Sequence, residues 1–287
     1  MINIVLFLNP NYTKNKIINT SKKKLDLVSQ FIILYHSIKR NWHFNYKISL
    51  FHNPNFPFSN FDKSRLEKLD VDIYQVKPDH PLIPYYCRCS CFTYPLKYKG
   101  THRLSLDCDM IALSEPLFDL NAHFQVNFAG NCSFPEDAIK IINSYYNINL
   151  SKYSRKKMFI SYLKNPEHYK RLFPHFNGGA ILIREELCQS FINLWKPTIK
   201  LSLQKSWKIP VSKKVLQLAI QYSMSFALLR LSTKWKPFNP SFNYLIKEYD
   251  PIKYNNKIQL LHYAGKGADK LFMQKFNNIL ISIPYLS

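Results

Sequence analysis

The sequence predicts an α/β fold with a mixed, mostly parallel central sheet flanked by helices, and two observations carry that expectation. Short apolar runs alternate with amphipathic stretches through the N-terminal half, INIVLFLN, KLDLVSQFIILYHSIKR, YKISLFHN, SRLEKL and VDIYQV, which is the rhythm of βαβ units. The chain has 287 residues with 46% hydrophobic, 15% aromatic and 20% charged side chains, a composition that folds around a sizeable core rather than remaining disordered.

The opening INIVLFLNP has no positive region before it and no small-residue cleavage site after it, so it reads as a first buried strand rather than a secretion signal. Leu25 to Arg40 is expected to be a helix, because Leu25, Leu27, Val28, Phe31, Ile32, Tyr35 and Ile38 gather near one face with Lys and Ser opposite. The prolines of PDHPLIP end the third unit, and CRCSCFTYPLKYKG reads as a short helix leading into the strand HRLSLD. VNFAGN is a further strand, followed by a Lys-rich helical region with a Tyr-rich connection. ILIREELCQSFINLW then passes from strand to helix, and SKKVLQLAIQYSMSFALL is one more helix. Neither an internal repeat nor a Gly/Ser linker divides the chain, so one continuous domain is expected, with a secondary boundary near Ser114.

Forty Lys and Arg against 18 Asp and Glu give a formal charge of +22, a field that draws anions of any kind: nucleic acid, acidic membrane or phosphorylated small molecules. No apolar stretch approaches the roughly 20 residues of a membrane-spanning helix, so the expectation is a cytoplasmic protein whose membrane contact is peripheral, through basic surface. Three of the six cysteines, Cys87, Cys89 and Cys91, crowd into CRCSC, and Cys108, Cys132 and Cys188 stand apart without the paired spacing of a zinc site. Positions i, i+2 and i+4 of a helix do not share one face, so these read as reduced thiols.

Six glycines occur in the whole chain, and five of them fall in three places: Gly130 in FAGN, Gly178 and Gly179 in FNGG, and Gly265 and Gly267 in HYAGKG. Glycine admits close backbone approach and positive φ, so such clustering marks sites or turns. Asp107 and Asp109 stand one residue apart between the apolar RLSL and MIAL, at the carboxyl end of a strand, where open α/β sheets bind ligands. Two acids at i and i+2 project the same way if the chain stays extended, whereas a bend there aims one at a metal and the other at a sugar or water; hard oxygen donors suit Mg²⁺ or Mn²⁺. Read alone, the pair is equally a strand-end turn with solvated acids.

HRLSLDCDMIALSEPLFDL resembles the strand and DxD segment of GT-A glycosyltransferases, especially the family-eight-like group; HFNGGAILIREE resembles its FNxG motif and LLHYAGKGADKL its C-terminal HxxG loop. The three arrive in the family's order. The resemblance implies a single GT-A (Rossmann-like) domain with residues 1–113 as the nucleotide-sugar-binding part and 114–287 as the acceptor-side part with the metal and diphosphate loop. It also implies transfer of a sugar, a UDP-hexose before a GDP-sugar, to a carbohydrate, glycoprotein or glycolipid acceptor.

By the same resemblance Asp107, Asp109 and His262 hold a Mn²⁺ or Mg²⁺ ion, and Asp107, Gly178, Gly265, Lys266 and Lys270 serve the nucleotide diphosphate. Asn177 falls near the donor sugar or acceptor, and Gln217 of KKVLQLAIQ falls where a donor-facing Gln is expected. Two departures stand out: Leu216 occupies the place of the family's acid, and GADK replaces the expected Lys-Pro-Trp. Asn243 in NPSFNYL matches an aromatic-Asn segment, as a structural or site amide. A retaining reaction needs no conventional base, whereas an inverting one would draw on Glu136 or Asp137. A basic nucleic-acid-binding domain is the alternative from another class, without a recognisable module and with no specific nucleic acid implied; a glycosyltransferase degenerated to a binding role is the third.

Overall fold

Ile2–Leu8 forms strand β1, buried along nearly its whole length, as an apolar run on a central parallel strand must be. The structure, a computed structural model, describes residues 1–8, 18–19, 24–54, 58–77, 85–128, 176–202, 223–225, 227–228, 230–231, 235–239, 241–245 and 258–262. Ile18–Asn19 (β2) and Lys24–Leu25 (β3) form a two-stranded antiparallel ribbon.

Helix α1, Leu27–Asn41, begins later than periodicity predicts, since Leu25 belongs to β3 and Asp26 is the cap. The Ser29 backbone N–H donates to Asp26 Oδ1 at 2.6 Å, satisfying one of the helix's open donors. Lys39 and Arg40 in the last turn complement the negative end of the dipole, and Trp42, extended at φ −114°, ends the helix. Phe31, Ile32, Leu34 and Ile38 are buried with the sheet residues Ile4, Leu6, Ile48, Leu50, Leu104 and Leu106 in one apolar cluster. Phe31→Ala there would cost about 3–5 kcal/mol.

Tyr46–His52 (β4), helix Asn60–Leu66 (α2), Asp72–Gln75 (β5), helix Tyr85–Thr93 (α3), His102–Leu106 (β6), Met110–Ala112 (β7), Phe124–Phe128 (β8) and Phe176–Arg184 (β9) follow. A 3-10 turn leads from β9 into helix α4, Cys188–Ser202; short strands Trp235–Lys236 (β10), Tyr244–Leu245 (β11) and Leu260–His262 (β12) come last.

Seven strands make the central sheet in the order β10-β8-β9-β6-β1-β4-β5, with β4 and β6 both parallel to β1 and β9 antiparallel to β6. From β1 the chain runs outward to β4 and β5, then returns to place β6 on the other side of β1. This reversal makes a topological switch point at the carboxyl ends of β1 and β6, the usual ligand crevice of open α/β sheets. A second sheet has the order β11-β12-β7, with β12 antiparallel to β7.

Two compact units group the chain: Met1–Gln125 with Gly179–Cys188 and Lys234–Ser287, and Val126–Gly178 with Gln189–Thr233. In the second, Trp195 stacks on Phe191 and donates its indole N–H to Ser223 Oγ at 3.1 Å, while the Phe176 N–H donates to Ser225 Oγ at 2.8 Å. The expected helix from SKKVLQLAIQ is described only from Ser223 onward, where Ser223–Ser225, Ala227 and Leu228 are helical. No helix among the described residues is long and apolar enough to cross a membrane.

Candidate metal and donor site

Three ligand-bearing side chains meet because of strand register. Asp107 follows β6, and its backbone N–H donates to the Gly179 carbonyl at 2.8 Å, so the strand's last pairing fixes the start of the acidic bend. Residues 108 and 109 bend before β7 begins at Met110. β12 pairs with β7 so that His262 lies opposite Met110, one residue beyond Asp109.

The C-terminal end of α1 holds β7 in place. Ser37 Oγ accepts from the Ala112 N–H at 3.0 Å, Asn41 Nδ2 donates to the Ala112 carbonyl at 2.9 Å, and Trp42 Nε1 donates to the Ser114 carbonyl at 3.0 Å. The Glu115 carboxylate accepts from the backbone N–H groups of His43 and Phe44. The segment after the acidic pair is therefore fastened to the core helix rather than left as a loop.

As a result, one ligand atom from each of Asp107, Asp109 and His262 lies within 4.8 Å of the others. His262 Nε2 is 3.4 Å from Asp109 Oδ1 and 3.7 Å from Asp107 Oδ2. Asp109 and His262 are buried, while Asp107 keeps 30% of its side chain exposed. The Nδ1 of His262 stands 2.8 Å from Asn243 Oδ1, an acceptor, an arrangement that suits a proton on Nδ1 and turns Nε2 toward the two carboxylates. Two carboxylate oxygens and an imidazole nitrogen converging in a largely buried spot fit a divalent cation as their shared partner.

The acids were legible in the sequence, but the arginine beside them was not. Arg88 of α3 donates from Nη1 to Asp107 Oδ1 at 2.8 Å, and from Nε and Nη2 to Ser105 Oγ at 3.2 and 3.1 Å. One Asp107 oxygen is thus held by the guanidinium, and the other faces His262. Within CRCSC the signal was this residue, the single charge in the helix YYCRCSCFT; attention to the cysteines hid it. Cys89, Cys91, Cys108 and Cys188 are buried thiols. Burial pushes the Cys188 thiol well above the usual range, so it stays protonated.

FNGG is not the turn before a strand that it resembles when read alone: Asn177, Gly178 and Gly179 all lie within β9 and are buried. Glycine inside a strand signals close backbone approach. Asn177 and Gly178 therefore immediately precede the residue whose carbonyl receives the Asp107 N–H. Gln217, Leu216, Gly265, Lys266, Lys270, Glu136 and Asp137 lie outside the described residues.

No protein-family model and no curated protein matches the chain by sequence. The fold, however, is that of GT-A glycosyltransferases. The chain is similar to the galactosyltransferase LgtC in complex with donor and acceptor sugar analogs, with a TM-score of 0.54 at 12% identity, over 98% of this chain and 96% of that one. It is similar to an active-site mutant of LgtC at TM-score 0.55 and 12% identity, over 98% and 95% of the two chains. The apo bifunctional glycosyltransferase WbbM gives TM-score 0.56 at 14% identity over 99% of this chain, which spans half of that one. The mostly parallel sheet with its flanking helices is thus the GT-A, Rossmann-like architecture expected from the ordered motifs.

Proposed function

We propose that the chain is a metal-dependent glycosyltransferase of the family-eight-like type, moving a hexose from a UDP-sugar to a glycan, protein or lipid acceptor. The observation that carries this reading is the meeting of Asp107, Asp109 and His262 beyond the carboxyl end of β6, in a fold whose solved neighbours are glycosyltransferases.

Asp107, Asp109 and His262 would hold the cation, Mn²⁺ or Mg²⁺ by the hardness of the donors. When bound, such an ion neutralises a diphosphate and acts as a Lewis acid on the leaving nucleotide. Asp109, buried, supplies a carboxylate that water does not screen. Asp107 is oriented by Arg88, so its second oxygen keeps a fixed direction. The same guanidinium places positive charge beside the spot where an anionic donor would sit.

The remaining assignments rest on sequence resemblance. Asn177 lies near the donor sugar or the acceptor, Gln217 faces the donor, Gly178 and Gly265 leave room for the backbone to approach the diphosphate, and Lys266 and Lys270 contact it. A retaining reaction would work by holding donor and acceptor close, without a conventional base. The domain is read as one catalytic body, residues 1–113 serving the nucleotide sugar and 114–287 the acceptor. Cytoplasmic residence is part of the same reading, with the +22 charge suited to peripheral contact with acidic membrane.

The test is a screen of nucleotide sugars with Mn²⁺, reading hydrolysis or transfer. The wild-type protein is expected to turn over at least one UDP-sugar, and Asp109→Ala to abolish that activity. Absence of turnover for every common nucleotide sugar, with no thermal stabilisation by UDP or GDP, overturns the assignment. Stabilisation by UDP without turnover converts it to a binding role.

A further inference from the structure

We propose that Asn243 is a positioning residue for the cation site, fixing the ring orientation and tautomer of His262. This rests on the metal-binding reading above.

An imidazole can bind a cation through one nitrogen only if the other carries the proton, and a hydrogen-bond acceptor at that other nitrogen sets which is which. Asn243 Oδ1 lies 2.8 Å from His262 Nδ1, and both residues are buried. Because the amide oxygen only accepts, it holds a proton on Nδ1, and Nε2 is the ring nitrogen turned toward Asp107 and Asp109, the one available to a cation.

The backbone fixes the point from which this amide reaches His262. Asn243 has φ 58°, the one described non-glycine residue in the left-handed region, which Asn, Asp and Gly tolerate best. It ends a turn in which Asn239 Oδ1 accepts from the N–H and hydroxyl of Ser241, and the Asn239 carbonyl accepts from the Phe242 N–H. The Ser241 carbonyl accepts from the Gln259 N–H at 2.9 Å, tying the turn to the segment that becomes β12. Phe242 is locked among Trp42, Phe118 and Phe238. From the next residue β11 pairs in parallel with β12, Leu245 opposite His262.

Two requirements therefore meet at position 243: a left-handed backbone and a side-chain acceptor. Glycine meets the first only, and aspartate meets both but adds a third negative charge beside two buried or half-buried carboxylates. Asparagine meets both without the charge. Partners of this kind typically change metal affinity by about 10–100-fold when removed.

The experiment measures Mn²⁺ binding by isothermal titration calorimetry for the wild type, Asn243→Gly, Asn243→Asp and Asp109→Ala, with ¹⁵N imidazole spectra of the metal-free proteins assigned through His262→Gln. Asn243→Gly, which keeps the backbone conformation, is expected to bind Mn²⁺ about 10–100-fold more weakly and to lose the single Nδ1–H tautomer of His262. Asn243→Asp is expected to hold or exceed wild-type affinity. Unchanged Mn²⁺ affinity in Asn243→Gly, with Asp109→Ala impaired, overturns the proposal and leaves the metal site standing. Wild-type protein that binds no Mn²⁺, or Asp109→Ala that binds it equally well, overturns the metal reading and the proposal with it. Should Asn243→Gly fail to fold, the wild-type spectrum decides: a proton on Nε2 rather than Nδ1 overturns the proposal.

Discussion

Replacing Arg88 by methionine should weaken the fold and tighten cation binding together, two effects of opposite sign from one change. The guanidinium makes one charge-assisted hydrogen bond, to Asp107 at 2.8 Å, and two more to Ser105 Oγ. A charge-assisted bond is worth about 1.5–3 kcal/mol and the loss also strips partners from the buried Ser105 hydroxyl. Asp107 is 30% exposed, however, so water takes over part of its solvation, and the net cost is about 2 kcal/mol. For a chain of this size that lowers Tm by roughly 4 °C.

Cation binding should move the other way. Arg88 and a divalent cation would share one carboxylate, on the order of 6 Å apart, and a single and a double positive charge repel by about 5–6 kcal/mol at an effective dielectric of roughly 20. Screening at a half-open site reduces this to about 1 kcal/mol, or roughly fivefold in affinity. Calorimetric melting reads the first effect and Mn²⁺ titration the second. A variant that binds Mn²⁺ more weakly than wild type refutes the reasoning, because Arg88 would then serve by orienting Asp107 more than it opposes the ion.

Gly100→Ala should destabilise by about 1–3 kcal/mol, since a Cβ there meets Asn3 Nδ2 at 2.8 Å and the Met1 carbonyl at 3.0 Å; an unchanged melting temperature contradicts this. Burial is the main cause holding the pKa of His36, His52 and His102 below the ordinary histidine value. The unfolded chain binds more protons at these three positions, so their contribution is fully present above about pH 6.5 and is lost as pH falls below it. Melting curves between pH 7.5 and 5.5 should show this loss, and a profile that rises toward acid contradicts it. Glu185→Gln should destabilise by about 3 kcal/mol, because buried Arg103 keeps its donors to the Cys91 and Tyr94 carbonyls but loses its charged partner; a loss under about 1 kcal/mol in urea unfolding rules that out.

The parts of the molecule legible in the sequence are those with local periodicity. β1, α1, β4, β5, α3 and β6 follow from apolar runs and amphipathic spacing, and the miss at Leu25 is a capping effect: Asp26 outcompetes the apolar face in setting the helix start. Asp107 and Asp109 were readable because acids are scarce and both follow an apolar strand. His262 needed the resemblance, since its neighbourhood with Asp109 depends on β12 pairing with β7, more than 140 residues away in sequence. Arg88 was not readable as a site part, and Asn243 was legible only through the resemblance and not as the partner of His262, because both contacts are a side-chain reach across elements that no sequence spacing encodes. FNGG misleads when read alone because glycine pairs punctuate turns far more often than they occupy a buried strand.

Diffraction from crystals soaked in Mn²⁺, recorded to bring out manganese anomalous scattering, examines the meeting of the three side chains without relying on any donor or acceptor. One peak in contact with the carboxylates of Asp107 and Asp109 and with Nε2 of His262 is the expected result. A saturating soak that leaves that position without a peak, or puts manganese only on other groups, contradicts it.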